Sequence, residues 1–149
     1  DFKKGPDTIP GANFVGAQPR GLEKLVSSNK RGYTPDLDNL RPRFKSNLVS
    51  LQSEFGDQLK LVSGYRGKAR NAKAGGAKGS QHIGGNAVDI DVSDWNKEKR
   101  IRFIQAARAK GFGGIGVYPN SIHVDMGKRR AWGPDHHNTT LPKWAKPYL

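Results

Sequence analysis

Cysteine is absent from all 149 residues. That excludes disulfides and thiolate metal ligands, and it fits a reducing compartment as well as many exported bacterial proteins. Apolar residues are scarce at 34%, and the mean hydropathy is −0.75. No apolar run approaches the length of a membrane helix, so membrane insertion is not expected. Acidic residues are few: 13 against 26 Lys and Arg. The chain opens on Asp1 with no secretory pattern, a start compatible with a removed leader.

What is abundant is positive charge, glycine and proline. The net charge is +13 and the pI about 10.2. Such a surface attracts polyanions: nucleic acid, anionic lipid or acidic cell-wall polymer. A nucleic-acid module usually interleaves its basic residues with stacking aromatics. Aromatics are sparse around Lys68, Arg70 and Lys73, and around Lys128, Arg129 and Arg130. No specific nucleic-acid partner is therefore expected. Nineteen Gly and nine Pro predict long loops in one small domain.

Residues 1–38 read as an extended arm with one short helix over 19–29, carrying Leu22, Leu25 and Val26. Leu40, Phe44, Leu48, Leu51 and Phe55 recur at spacings of 4, 4, 3 and 4, one stripe of a helix. Pro42 is tolerated only in the first turn, and Gly56 supplies a stop. Residues 59–63 form a strand, 64–79 a basic glycine-containing loop, and 87–92 a second strand. Ser93 or Asp94 is expected to cap a helix over 96–110, with Ile101, Ile104 and Ala107 on its buried face. Residues 114–118 and 121–126 pair as a hairpin around Pro119 and Asn120, with Ile122, Val124 and Met126 on one face. After Gly127 the chain reads as a basic, irregular tail. The expected organisation is an arm (1–38), a central domain (39–132) and a basic tail (133–149) packing on or near it. The fold class is α+β, a small, mostly antiparallel sheet with helices on one side.

Strand periodicity puts Asp89 on the polar face of one strand and His123 on the polar face of another. His82 precedes Asp89 by seven residues, across the turn-forming Gly84 and Gly85. Two imidazoles and a carboxylate that converge make a zinc site with room for a water, the layout of a catalytic site.

The motifs Ser63-Gly64-Tyr65-Arg66, Ser80-Gln81-His82, Ala87-Val88-Asp89-Ile90, Gly114-Ile115-Gly116-Val117-Tyr118-Pro119 and Ile122-His123-Val124-Asp125 occur in that order. Together they resemble the zinc D-Ala-D-Ala carboxypeptidase family, peptidase family M15, over residues 40–132. The resemblance implies the metal-site fold shared with phage L-alanyl-D-glutamate endopeptidases and the hedgehog signalling domain. It implies that His82, Asp89 and His123 ligate Zn2+. It gives Arg66 a role on a substrate carboxylate or on the scissile carbonyl, where a guanidinium fork suits either. Ser80 is expected to hold a turn or a substrate carboxylate, and Tyr118 to pack or, from the rim of the cleft, to bind substrate by donating its hydroxyl to an oxyanion.

One position departs from the family. Many relatives carry Glu or Asp three residues before the last His ligand, as the general base. Asn120 stands there in this chain and cannot take a proton. Asp125 is the favoured substitute, with Asp91 next and His136 and His137 of the tail after them. Asp125 and Asp91 can equally orient a ligating imidazole. The activity implied is zinc-dependent cleavage of peptidoglycan stem or cross-link peptides by a monomer acting on the bacterial wall. The owner is then a phage lysin or an exported bacterial protein. The alternative is a zinc-bearing wall-binding domain without catalysis.

Overall fold

The computed structural model describes residues 22, 24–28, 40–63, 85–135 and 140–149. Its first long element, α1 (Pro42–Phe55), begins at the proline and ends at Gly56. Gly56 adopts φ 85°, a left-handed conformation that glycine takes without a Cβ clash, and its N–H donates to the Gln52 carbonyl at 3.0 Å. The apolar stripe from Leu40 to Phe55 is buried throughout.

Among the described residues one sheet has six strands: β1 (Val26–Ser27), β2 (Lys60–Ser63), β3 (Ala87–Asp91), β4 (Gly114–Val117), β5 (Ser121–Asp125) and β6 (Arg130–Trp132). Their spatial order is β1-β2-β3-β5-β4-β6. The outermost pairs, β1 with β2 and β4 with β6, are parallel, and the inner pairs are antiparallel. The second helix, α2 (Lys97–Ala109), follows β3. Both helices contribute to the core that also holds Val88, Ile90, Ile115, Val117, Ile122 and Val124 of the sheet. The fold is thus α+β, with helices covering one face.

Several local expectations give way. The helix expected over 19–29 is replaced at Val26–Ser27 by a strand paired with Lys60 and Leu61. Its anchor is Gln52, fully buried on α1. The Gln52 amide donates to the carbonyls of Leu22 and Lys24 at 2.7 Å each, and its oxygen accepts from Leu59 N–H at 2.9 Å. The second helix is capped by Asn96, which accepts from Lys99 N–H at 2.8 Å, and not by Ser93 or Asp94. Ser93 is instead turned back to Asp91, donating from its hydroxyl at 2.7 Å and its N–H at 3.0 Å. Phe103, fully buried between Phe55 and Trp95, takes the core place expected of the half-buried Ile101. Met126 is exposed, not part of the buried face of β5. The stretch after Gly127 is not irregular throughout: it holds β6, and Ala145 further on is buried in the core, with Leu141, Trp144, Tyr148 and Leu149 packed against that core.

Candidate active site

The face of the sheet away from the helices carries two side-chain rows that cross four strands. Strand register places Asp89 opposite His123, His123 opposite Gly116, and Gly116 beside Trp132. The neighbouring row runs Ala87, Asp125, Gly114 and Arg130. Residues two apart on a strand share a face, so each row sits beside the other.

His123 stands between two carboxylates and is 7% exposed. Its Nε2 donates to Asp125 Oδ2 at 2.5 Å, and its Nδ1 lies 3.2 Å from Asp89 Oδ1. Burial opposes the charged imidazolium, but the bonds to Asp125 and Asp89 outweigh it and raise the His123 pKa above its ordinary value. Asp125 has no exposed surface. It accepts from Arg130 Nη1 at 2.9 Å and Nη2 at 2.8 Å, and from Gly127 N–H at 2.8 Å. Burial alone would raise its pKa; the bonds from His123 and Arg130 hold it well below the usual carboxylate range. An arginine fork on both oxygens is the strongest carboxylate pairing available to a side chain.

The middle strand makes this reach possible. Gly114 and Gly116 leave β4 without side chains on this face. A Cβ at Gly114 would collide with the Asp125 carboxylate and lie 2.5 Å from Arg130 Nη1. A Cβ at Gly116 would lie 2.5 Å from the Trp132 indole. Across that bare backbone Trp132 packs on the His123 ring, centroids 4.9 Å apart, and Arg130 stacks over Trp132 at 5.0 Å. The indole N–H donates to the Tyr118 hydroxyl at 2.6 Å, so Tyr118 stands on the same side as His123 and half-buried.

Asp89 and His123 are thus brought together. Two donors on one zinc with bonds near 2.0–2.1 Å stand about 3.3 Å apart in tetrahedral geometry. The 3.2 Å between Asp89 Oδ1 and His123 Nδ1 fits that edge, and the Nε2–H···Asp125 bond leaves Nδ1 as the nitrogen turned toward the shared space. Among the described residues no cluster of three His, Cys, Asp or Glu suited to a metal occurs. His82, the third expected ligand, lies outside the described residues, as do Arg66, Ser80, His136 and His137.

Asp91, the second candidate base, sits at the far end of β3, opposite Ser121. It accepts from Ser28 Oγ at 2.7 Å and from Ser93, tying β1 to the end of β3. Asn120 lies exposed in the hairpin turn, its carbonyl accepting from Val92 N–H at 3.0 Å. Trp132 was not anticipated at the site, and Arg130 was expected only in a basic segment flanking the cleft, not as the partner of Asp125. The signal was present: Gly114 and Gly116, His123 and Asp125, and Arg130 and Trp132 are three pairs at strand period.

The described residues thus bring a carboxylate and an imidazole together on the face of the sheet away from the helices. The peptidase M15 family model matches residues 17–125, and the chain belongs to that family of peptidases. The match begins well upstream of the expected residue 40, in agreement with the pairing of Val26–Ser27 into the sheet. The chain is also 30% identical over 127 residues to a Haemophilus influenzae protein named "Probable peptidoglycan L,D-endopeptidase MepK", covering 78% of this chain and 67% of that one.

Proposed function

We propose that the chain is a zinc-dependent peptidase that hydrolyses peptidoglycan peptides. The observation that carries the reading is the Asp89–His123 pair, set in register on adjacent strands with facing donors 3.2 Å apart. His82, Asp89 and His123 would hold the ion. When bound, zinc supplies Lewis-acid polarisation of the scissile carbonyl and acidifies water. The chain's own residues then position and neutralise. Arg66 pairs with a substrate carboxylate or the carbonyl oxygen, and Ser80 and Tyr118 line the substrate's path.

Asp125 is better suited to hold His123 than to move a proton. Its oxygens are occupied by Arg130, Gly127 and His123, and no part of it meets solvent. A carboxylate held so far below the ordinary range is a weak base. The role of Asp125 therefore moves from the proton carrier expected from the sequence to an orienting group.

Peptidoglycan is proposed as substrate from the family, from the relative's name and from the +13 charge, which favours an anionic wall. That name also makes an L,D bond of the wall peptides the first to test. A phage lysin or an exported bacterial enzyme, acting as a monomer, fits this role. The test is metal analysis of chelator-free protein together with mass spectrometry of defined muropeptides, with and without 1,10-phenanthroline. One zinc per chain and chelator-sensitive release of peptide fragments are expected. Release of single D-alanine instead assigns a carboxypeptidase. Asn120 favours one other reading, a zinc-bearing wall-binding domain. It predicts zinc and co-sedimentation with walls but no released product.

A further inference from the structure

Arg130 lies on an edge strand, two strands away from His123, yet its guanidinium spans the gap. It does so because Gly114, directly between Arg130 and Asp125 in register, has no side chain. Both Nη atoms land on Asp125, one per oxygen, at 2.9 and 2.8 Å. The Lys128 carbonyl accepts from Nη1 at 3.0 Å, and Trp132 lies under the guanidinium at 5.0 Å, so the arginine is fixed from three sides. With its carboxylate plane set this way, Asp125 turns Oδ2 to His123 Nε2 at 2.5 Å. The imidazole then has one orientation, flanked by Trp132 and with Nδ1 toward Asp89.

We propose that Arg130 is a positioning residue for the metal site. By clamping Asp125 across the side-chain-free Gly114, it fixes the His123 ring with Nδ1 facing Asp89 and thereby sets zinc affinity. The inference rests on the zinc reading above. A lysine does not reproduce it, because an ammonium is a point charge and cannot hold both carboxylate oxygens in a plane. Gly114 is the second half of the device, since any Cβ there occupies the path of the fork.

The test is zinc affinity measured by competition with a chromophoric chelator, on the full chain, for wild type, Arg130→Gln, Arg130→Lys and Gly114→Ala. The groups behind metal ligands typically change affinity about 10–100-fold when removed. Arg130→Gln and Gly114→Ala are expected to weaken zinc binding within that range, and Arg130→Lys to recover only part of it. The cobalt-substituted proteins supply a second readout: the variants' visible d–d bands shift or broaden as the His123 ring loses its single orientation. A role in stability alone would lower the melting temperature of the metal-free protein and leave the affinity of the folded variants and the cobalt bands unchanged, which overturns the proposal. Unfolding of both Arg130 variants without metal also makes Arg130 a stability residue and overturns it. Absence of stoichiometric zinc from the unsubstituted protein overturns the zinc reading itself, and this inference with it. Equal affinities in wild type and variants overturn this inference alone.

Discussion

His123 carries two predictions because it faces carboxylates on both nitrogens. Its pKa is raised above the ordinary 6.5, so in the metal-free protein its pairing with Asp89 and Asp125 stabilises the fold fully below that value. The contribution disappears as pH rises through the higher folded-state value. Zinc needs the neutral imidazole, so protons and zinc compete for it. The zinc-induced rise in melting temperature is therefore expected to grow between about pH 6 and about pH 8. A rise that is constant or falls over that span, measured by calorimetry with matched chelator controls, removes His123 from the ligand set. The second prediction is Asp125→Asn, which keeps the shape but loses the charge that Arg130 and His123 share. Zinc affinity is expected to fall about 10–100-fold. If affinity holds and turnover at saturating zinc collapses, Asp125 is the proton carrier after all. If both hold, His136 and His137 are the next positions to substitute. The face that Asp89, His123 and Asp125 share was legible in the sequence because strand alternation is strict. The partners of Asp125 were not, because Arg130 reaches it across an intervening strand, a relation no local spacing encodes.

At the scale of elements, legibility followed length. α1 has Phe44, Leu48, Leu51 and Phe55 at helical spacing, a proline at its start and a glycine just past its end, and all of these signals agree. β1 and β6 have two and three residues. Alternation needs more residues than that to show, and parallel edge pairing is decided by the neighbour strand rather than by the segment. The cap of α2 was displaced for a related reason: Ser93 hydrogen-bonds to Asp91, which leaves Asn96 to receive the helix N–H. β1 depends on Gln52, whose amide joins α1, Leu59 just before β2 and the segment before β1. Replacing it with an apolar side chain of similar size removes the bonds to the Leu22 carbonyl and the Leu59 N–H, while the Lys24 carbonyl keeps a bond from Gln58 Nε2 at 3.2 Å. A buried polar group left unpaired costs about 1–3 kcal/mol. Gln52→Leu is expected to lower unfolding free energy by at least about 2 kcal/mol in urea titration. A loss below about 0.5 kcal/mol, the range of ordinary surface changes, would show that Gln52 does not hold the strand.

At the scale of the whole molecule, charge and site lie together. The net charge is +13, and Lys128, Arg129 and Arg130 are exposed beside the face that holds His123. Among the described residues no helix is long and apolar enough to cross a membrane. On the proposed reading, surface charge contributes attraction to an anionic wall. Arg130 shows how charge and site are separated: its fork is committed to Asp125, while Lys128 and Arg129 extend from the turn before β6. Arg129 is also tied to the chain end, donating to the Leu149 carbonyl at 2.8 Å. Mobile ions screen exposed charges beyond about 8–10 Å near physiological ionic strength, and buried pairs much less. Salt should therefore weaken recruitment to the wall without disturbing the buried His123–Asp125 pair. Lysis of whole walls is expected to slow as salt is raised from about 50 to about 300 mM, while hydrolysis of a small neutral peptide changes little. Turbidity clearing and peptide release, followed side by side in the same buffers, give the comparison. Equal salt sensitivity on both substrates would locate the effect in the active site and remove wall attraction as its cause.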